Sequence, residues 1–118
     1  MTINFLSDMS KYGNYRYAVG KEVFDSKLEY SRYCQLLILQ RGGKISRLER
    51  QKRYVLIDKS SYGREIAYVT DFVYEENGKI VIEDTKSMAT RTRLYMLKKR
   101  LLAERYGIVI KEVFADDL

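Results

Sequence analysis

The dipeptide Asn77-Gly78 constrains this chain more than any other feature. It interrupts "YVTDFVYEENGKIVIEDTKS", residues 68–87, between two segments that alternate apolar and polar residues. Asn-Gly favours a two-residue turn with positive φ at both central residues, the twist that suits a β-hairpin. Glu76 and Lys79 then form the last pair, and the remaining pairs follow: Val73 opposite Ile82, Asp71 opposite Asp84, Val69 opposite Lys86. Side chains alternate along a strand, so Val69, Asp71, Val73, Ile80, Ile82, Asp84 and Lys86 share one face. Thr70, Phe72, Tyr74, Val81, Glu83 and Thr85 share the other.

That register sets two carboxylates against each other across the ladder, which is destabilising by roughly 0.2–1 kcal/mol before desolvation. A divalent cation between Asp71 and Asp84 would offset the repulsion, with Lys86 beside it on the same face. Mg²⁺ retains several waters and takes substrate phosphate oxygens, so two protein carboxylates suffice. The plainer reading is a surface ion pair of Asp84 with Lys86 at a strand end, and Asp71 capping a bend. The acid-x-Lys triplet occurs twice, as Asp25-Ser26-Lys27 and Asp84-Thr85-Lys86. Only the second sits on a strand with an acid placed opposite by a turn.

Elsewhere, Ser26 followed by Glu29 matches a capping box and predicts a helix to about Gln40, stopped by Gly42-Gly43. On a helical wheel Tyr30, Tyr33, Cys34, Leu36 and Leu37 form its apolar arc, and Glu29 falls within that arc, pointing inward. Cys34 reads as a small buried hydrophobe. Two short strands are expected at 45–51 and 54–58, then a polar turn at "KSSYG" and the long hairpin from about Arg64 to Thr85. Leu94, Leu97 and Leu101, with Tyr95 and Leu102 beside them, predict a second helix from Thr90 to about Tyr106, ended by Gly107. "IVIKEVF" (108–114) reads as an interior strand reached by a parallel crossover. The expected class is α/β (α+β), a central mixed sheet flanked by helices in the order α-β-β-β-α-β.

A chain of 118 residues supports one compact domain. Residues 1–23 read as a Tyr-rich basic arm with some strand character, and 24–114 as the core. A signal peptide and an apolar run of spanning length are both missing from the sequence, so the expectation is a soluble cytoplasmic protein without a membrane partner. With no His and one Cys, a Ser-His-Asp triad, a Cys-His pair or a His/Cys zinc site cannot be built. Chemistry must rest on carboxylates, lysine, tyrosine or a hard metal, and nothing points to a nucleotide cofactor.

The net charge is +6, and residues 86–111 carry Lys86, Arg91, Arg93, Lys98, Lys99, Arg100, Arg105 and Lys111 against Glu104 alone. A basic, Tyr-rich chain suggests a polyanionic partner, most simply nucleic acid. Arg91, Arg93, Lys98, Lys99 and Arg100 are candidates for phosphate pairing, as are Lys11 and Arg16 among the tyrosines of the arm.

A helix bearing Glu29, a strand bearing Asp71, a paired strand bearing Asp84-Thr85-Lys86, then a helix and a strand resemble the PD-(D/E)xK nuclease superfamily over residues 24–113. More closely, "FDSKLEYSRYCQLLI", "ISRLERQ", the hairpin and "IVIKEV" look like a family of small phage and prophage proteins of unknown function assigned to that superfamily. The Phe-x-Ser-x-x-Glu opening is similar to the cutting subunit of some transposases. The resemblance implies a restriction-endonuclease-like core and Mg²⁺- or Mn²⁺-dependent hydrolysis of DNA, at branched junctions or in recombination, by a homodimer in the cytoplasm of a phage host. It implies metal ligation by Asp71, Asp84 and the Thr85 carbonyl, with Glu29 reaching in directly or through water. Lys86 would orient the attacking water and stabilise charge on the phosphate. The superfamily's proline before the first aspartate is Thr70 here. Glu83 adjoins Asp84, but its parity opposes that of Lys86. The alternative is a non-catalytic nucleic-acid-binding protein with the same fold.

Overall fold

The computed structural model of the protein describes residues 6–9, 15–19 and 21–118. The chain begins with strands β1 (Leu6–Met9), β2 (Tyr15–Val19) and β3 (Glu22–Phe24), followed by helix α1 (Lys27–Arg41). Five strands come next: β4 (Ser46–Arg50), β5 (Arg53–Ile57), β6 (Ile66–Val69), β7 (Phe72–Glu76) and β8 (Lys79–Thr85). A 3₁₀ turn at Met88–Thr90 leads to helix α2 (Arg93–Tyr106) and strand β9 (Lys111–Val113). The fold is α+β, with a mixed four-stranded sheet ordered β4-β7-β8-β9, a two-stranded sheet β5-β6 and a three-stranded sheet β1-β2-β3. The segment read as an arm is thus paired into antiparallel strands, and β2 and β3 lie against α1.

The turn is as its sequence dictates: Asn77 has φ 53° and Gly78 φ 76°, and Glu76 pairs with Lys79. The register runs outward through Val73–Ile82 to Phe72–Glu83. There the expected long first strand ends. It bends at Thr70-Asp71, and Val69 pairs with Arg53 instead of facing Lys86. The partner strand bends at the same point: β4 runs beside β7 and β5 beside β6, with Gln51 at φ 53° between them. The two segments form one ribbon that changes sheets at a kink, a way for β-structure to re-aim a side chain. Five strands therefore stand between the helices.

Alternation along β7 and β8 feeds two cores. Phe72 and Tyr74 meet Leu36 and Ile45 beneath α1, while Val73 and Ile82 meet Tyr95 and Leu102 of α2 together with Tyr54, Leu56 and Tyr68 of the small sheet. The inward face of α2 is not the leucine stripe: Leu94 and Leu97 are 61% and 55% exposed, and Tyr95 and Leu102 are buried. Tyr95 and Leu102 join the core cluster with Leu101 packed against it, and two tyrosine hydroxyls are bonded in this orientation, Tyr95 donating to Glu112 and Tyr106 to the Val55 carbonyl. β9 runs parallel to β8, as a helical crossover requires, but it forms the sheet's edge and spans only 111–113. Cys34 is half-buried on α1 as a free thiol.

Candidate metal and phosphate site

At the kink the backbone of Asp71 leaves the ladder, and its N–H needs another acceptor. Asp84 supplies it: the Asp71 N–H donates to Asp84 Oδ1 at 2.7 Å. Asp71 answers across the strands, its Oδ2 accepting from the Thr85 N–H at 2.8 Å and the Thr85 hydroxyl at 2.9 Å. The ladder ends at Phe72–Glu83, so the expected Asp71–Asp84 strand pair is not formed. Asp71 lies in the bend next to β8, and each carboxylate is turned onto the other residue's side of the backbone rather than facing its counterpart. One oxygen of each is oriented in this way. Asp71 Oδ1 and Asp84 Oδ2 have no hydrogen-bond donor among the described residues.

Asp71, Thr85 and Lys86 line a cleft of about 470 Å³ with Asp25, Ser26 and Glu29 from the start of α1. Ser26 caps that helix by accepting from the Glu29 N–H at 3.1 Å. The Glu29 carboxylate does not close the expected capping box. It accepts from the Asp25 N–H at 3.2 Å and from Arg50 at 3.3 Å, so both oxygens are engaged. Glu29 is 2% exposed; burial and then the charge of Asp71 push its carboxyl up to about 7. Burial likewise raises Asp84 to about 6 and raises Asp71, although backbone N–H bonds and the Lys86 ammonium pull both back toward the charged form. Three acids reluctant to ionise therefore sit at one locus.

Glu83 is on the opposite face, as parity requires. It receives the Arg32 guanidinium through both oxygens at 2.7 Å and accepts from the Tyr74 hydroxyl. Lys86 extends over the Tyr95 ring, its Nζ 4.0 Å from the centroid.

The basic candidates divide. Arg91 Nε and Lys99 Nζ both donate to Glu112, at 2.9 and 3.1 Å, and are drawn into a partly buried ion cluster. Arg93 and Arg100 are exposed on α2, and Lys98 is half-buried; Arg100 makes only a long 3.9 Å contact with Glu104. Lys11 lies outside the described residues. Arg16 is described through its backbone alone, opposite Asp8 in the β1–β2 pair.

Sequence reading missed Arg32, Arg50, Tyr95 and Glu112. Arg50 packs its guanidinium over the Phe24 ring at 3.9 Å and binds Glu22, Glu29 and the Val23 carbonyl. No spacing rule marks a cation whose partners come from another sheet.

Among the described residues no cluster of three or more His, Cys, Asp or Glu side chains is arranged to hold a metal ion. A site of two aspartates and backbone oxygen is below that count and still fits Mg²⁺ or Mn²⁺, because hard oxygen donors and retained waters are what such ions take. Glu29, with both oxygens engaged, is suited to a water-mediated role. Among the described residues no helix is long and apolar enough to cross a membrane.

The chain belongs to a family described as proteins of unknown function, DUF1064, which it matches over residues 9–114. No curated protein and no solved structure matches it.

Proposed function

We propose that the chain is a Mg²⁺- or Mn²⁺-dependent DNA endonuclease of the PD-(D/E)xK superfamily, acting on branched DNA in phage recombination or junction resolution, in the cytoplasm and as a homodimer. One observation carries the reading. At the kink, Asp71 and Asp84 each keep one oxygen without a donor among the described residues, and Asp71 lines a cleft of about 470 Å³ together with Thr85 and Lys86, with Asp84 buried directly behind it. A structural ion pair at a strand end would have placed Lys86 on Asp84, and here the ammonium lies over an aromatic ring instead.

Asp71, Asp84 and the Thr85 carbonyl would hold the cation. When bound, it supplies positive charge to the scissile phosphate and acidifies a water. The backbone N–H bonds to Asp71 and Asp84 keep these carboxylates oriented. Lys86 donates toward the phosphate and the attacking water, and Glu29 orders water at the cleft wall. Arg93, Lys98 and Arg100 hold flanking phosphates on α2. The dimer rests on the need for one small domain to cut two strands.

A panel of linear, flapped and four-way DNA with Mg²⁺ or Mn²⁺ tests this directly. Cleavage is expected to vanish in Asp84→Asn and Lys86→Ala while DNA binding survives; robust cutting by both variants rejects the assignment. The second reading, a non-catalytic nucleic-acid binder, is favoured by the engagement of both Glu29 oxygens by protein donors. Mn²⁺ binding that is unchanged in Asp71→Asn would select it.

A further inference from the structure

A lysine ammonium on a flexible four-carbon stem has no fixed place unless something holds it. For Lys86 the holder is visible. Its backbone N–H donates to the Val113 carbonyl at 2.8 Å, and its Nζ lies 4.0 Å from the centroid of the Tyr95 ring. That is well inside the ~6 Å range of a cation–π contact. Tyr95 is itself buried, and its hydroxyl donates to Glu112 Oε2 at 2.8 Å. Glu112 accepts from Arg91 and Lys99 and is the direct cross-strand partner of Asp84. A phenol hydrogen-bonded to a carboxylate has a more electron-rich ring, so the same clamp that sets the ring's angle strengthens its hold on the ammonium.

We propose that Tyr95 is the positioning residue for Lys86. Its ring is a platform that keeps the ammonium at the wall of the cleft beside Asp71, and the Glu112–Arg91–Lys99 cluster locks the platform to β9, the strand paired with the one that carries Asp84. The kinetic consequence rests on the nuclease reading; the platform itself does not.

The test separates the two. Reductive methylation with ¹³C-formaldehyde labels each lysine and keeps its positive charge. One lysine methyl resonance, absent in Lys86→Arg, is expected to lie upfield of the others through the ring current of Tyr95. It should rejoin the others in Tyr95→Leu and stay shifted in Tyr95→Phe. A spectrum of the unsubstituted protein with no ring-shifted lysine overturns the proposal, whatever the cleavage assay shows. In the cleavage assay Tyr95→Leu should lower kcat on the order of a hundredfold with KM little changed, as misplacement of a reacting group does, and Tyr95→Phe should restore most of it. A shifted resonance in a protein that cuts no DNA supports the platform and rejects only the nuclease reading. Full-rate cleavage by Tyr95→Leu overturns the positioning role.

Discussion

Glu83 and Asp84 are adjacent on β8 and both buried, yet their surroundings assign them opposite tasks. Glu83 is saturated by the Arg32 guanidinium and the Tyr74 hydroxyl, whereas Asp84 has one backbone N–H. Replacing Glu83 with Gln leaves a largely buried guanidinium without its counter-charge, which costs on the order of 3–5 kcal/mol. A large drop in the urea midpoint of Glu83→Gln is therefore expected. Asp84→Asn removes a group that burial already holds up near pH 6, so its midpoint should stay level or rise. If Asp84→Asn were the more damaging change, the division of labour would be wrong. The local turn fixed the hairpin as far as Phe72–Glu83, which brings Asp71 next to Asp84 although the ladder pair expected of them is not made. Glu29 was marked by its offset from the Ser26 cap, although its carboxylate bonds Asp25 instead of closing the box. Arg32 and Glu83 are 51 residues apart, and Arg50, Tyr95 and Glu112 likewise find their partners far along the chain or in another sheet, where no spacing rule reaches.

The elements were readable where their cause is local. Both helices, the Asn77-Gly78 turn and the parallel β8–β9 crossover follow from caps, periodicity and connection type. The kink at Thr70-Asp71 was hidden because β6 keeps a strand-like alternation while it changes partners; a competing strand, not the residues of β6, decides that switch. The rotation of α2 was hidden for a similar reason, since the partners that Tyr95 and Tyr106 find, Glu112 and the Val55 carbonyl, lie on other elements. Gly78 has φ 76° and open space where a Cβ would stand, so its change to Ala should cost roughly 1–2 kcal/mol through backbone strain alone. A denaturation midpoint unchanged in Gly78→Ala would mean the turn does not hold the register. On α2, Arg93→Ala should lower the salt dependence of DNA binding by about one unit of log–log slope. Arg91→Ala, whose side chain belongs to the Glu112 cluster, should leave that slope unchanged and reduce thermal stability instead.

For the whole molecule, the acids of the cleft couple folding to pH and to metal. Burial raises Glu29 from 4.5 to about 7 and Asp84 from 3.8 to about 6, so between roughly pH 4 and 7 the folded chain binds protons that the unfolded chain releases. Their contribution is fully present below the unfolded values and is lost as pH rises through the folded ones. Glu112 acts in the other sense: burial pushes it up, but bonds from Tyr95, Lys99 and Arg91 outweigh that and lower it, so its contribution disappears as pH falls below the ordinary glutamate range. Without divalent cation, thermal stability should therefore peak at about pH 5 and decline toward about pH 7.5. A cation needs ionised carboxylates, so its binding competes with those protons. Mn²⁺ should raise Tm strongly at about pH 7.5, where it neutralises the repelled charges, and weakly at about pH 5.5, where protons already do so. Asp84→Asn should make the metal-free decline shallower, leaving the part due to Glu29, and remove most of the Mn²⁺ response. An equal Mn²⁺ shift at both pH values, or one that survives Asp84→Asn, would place the cation away from the kink and leave the raised acids as a feature of burial alone.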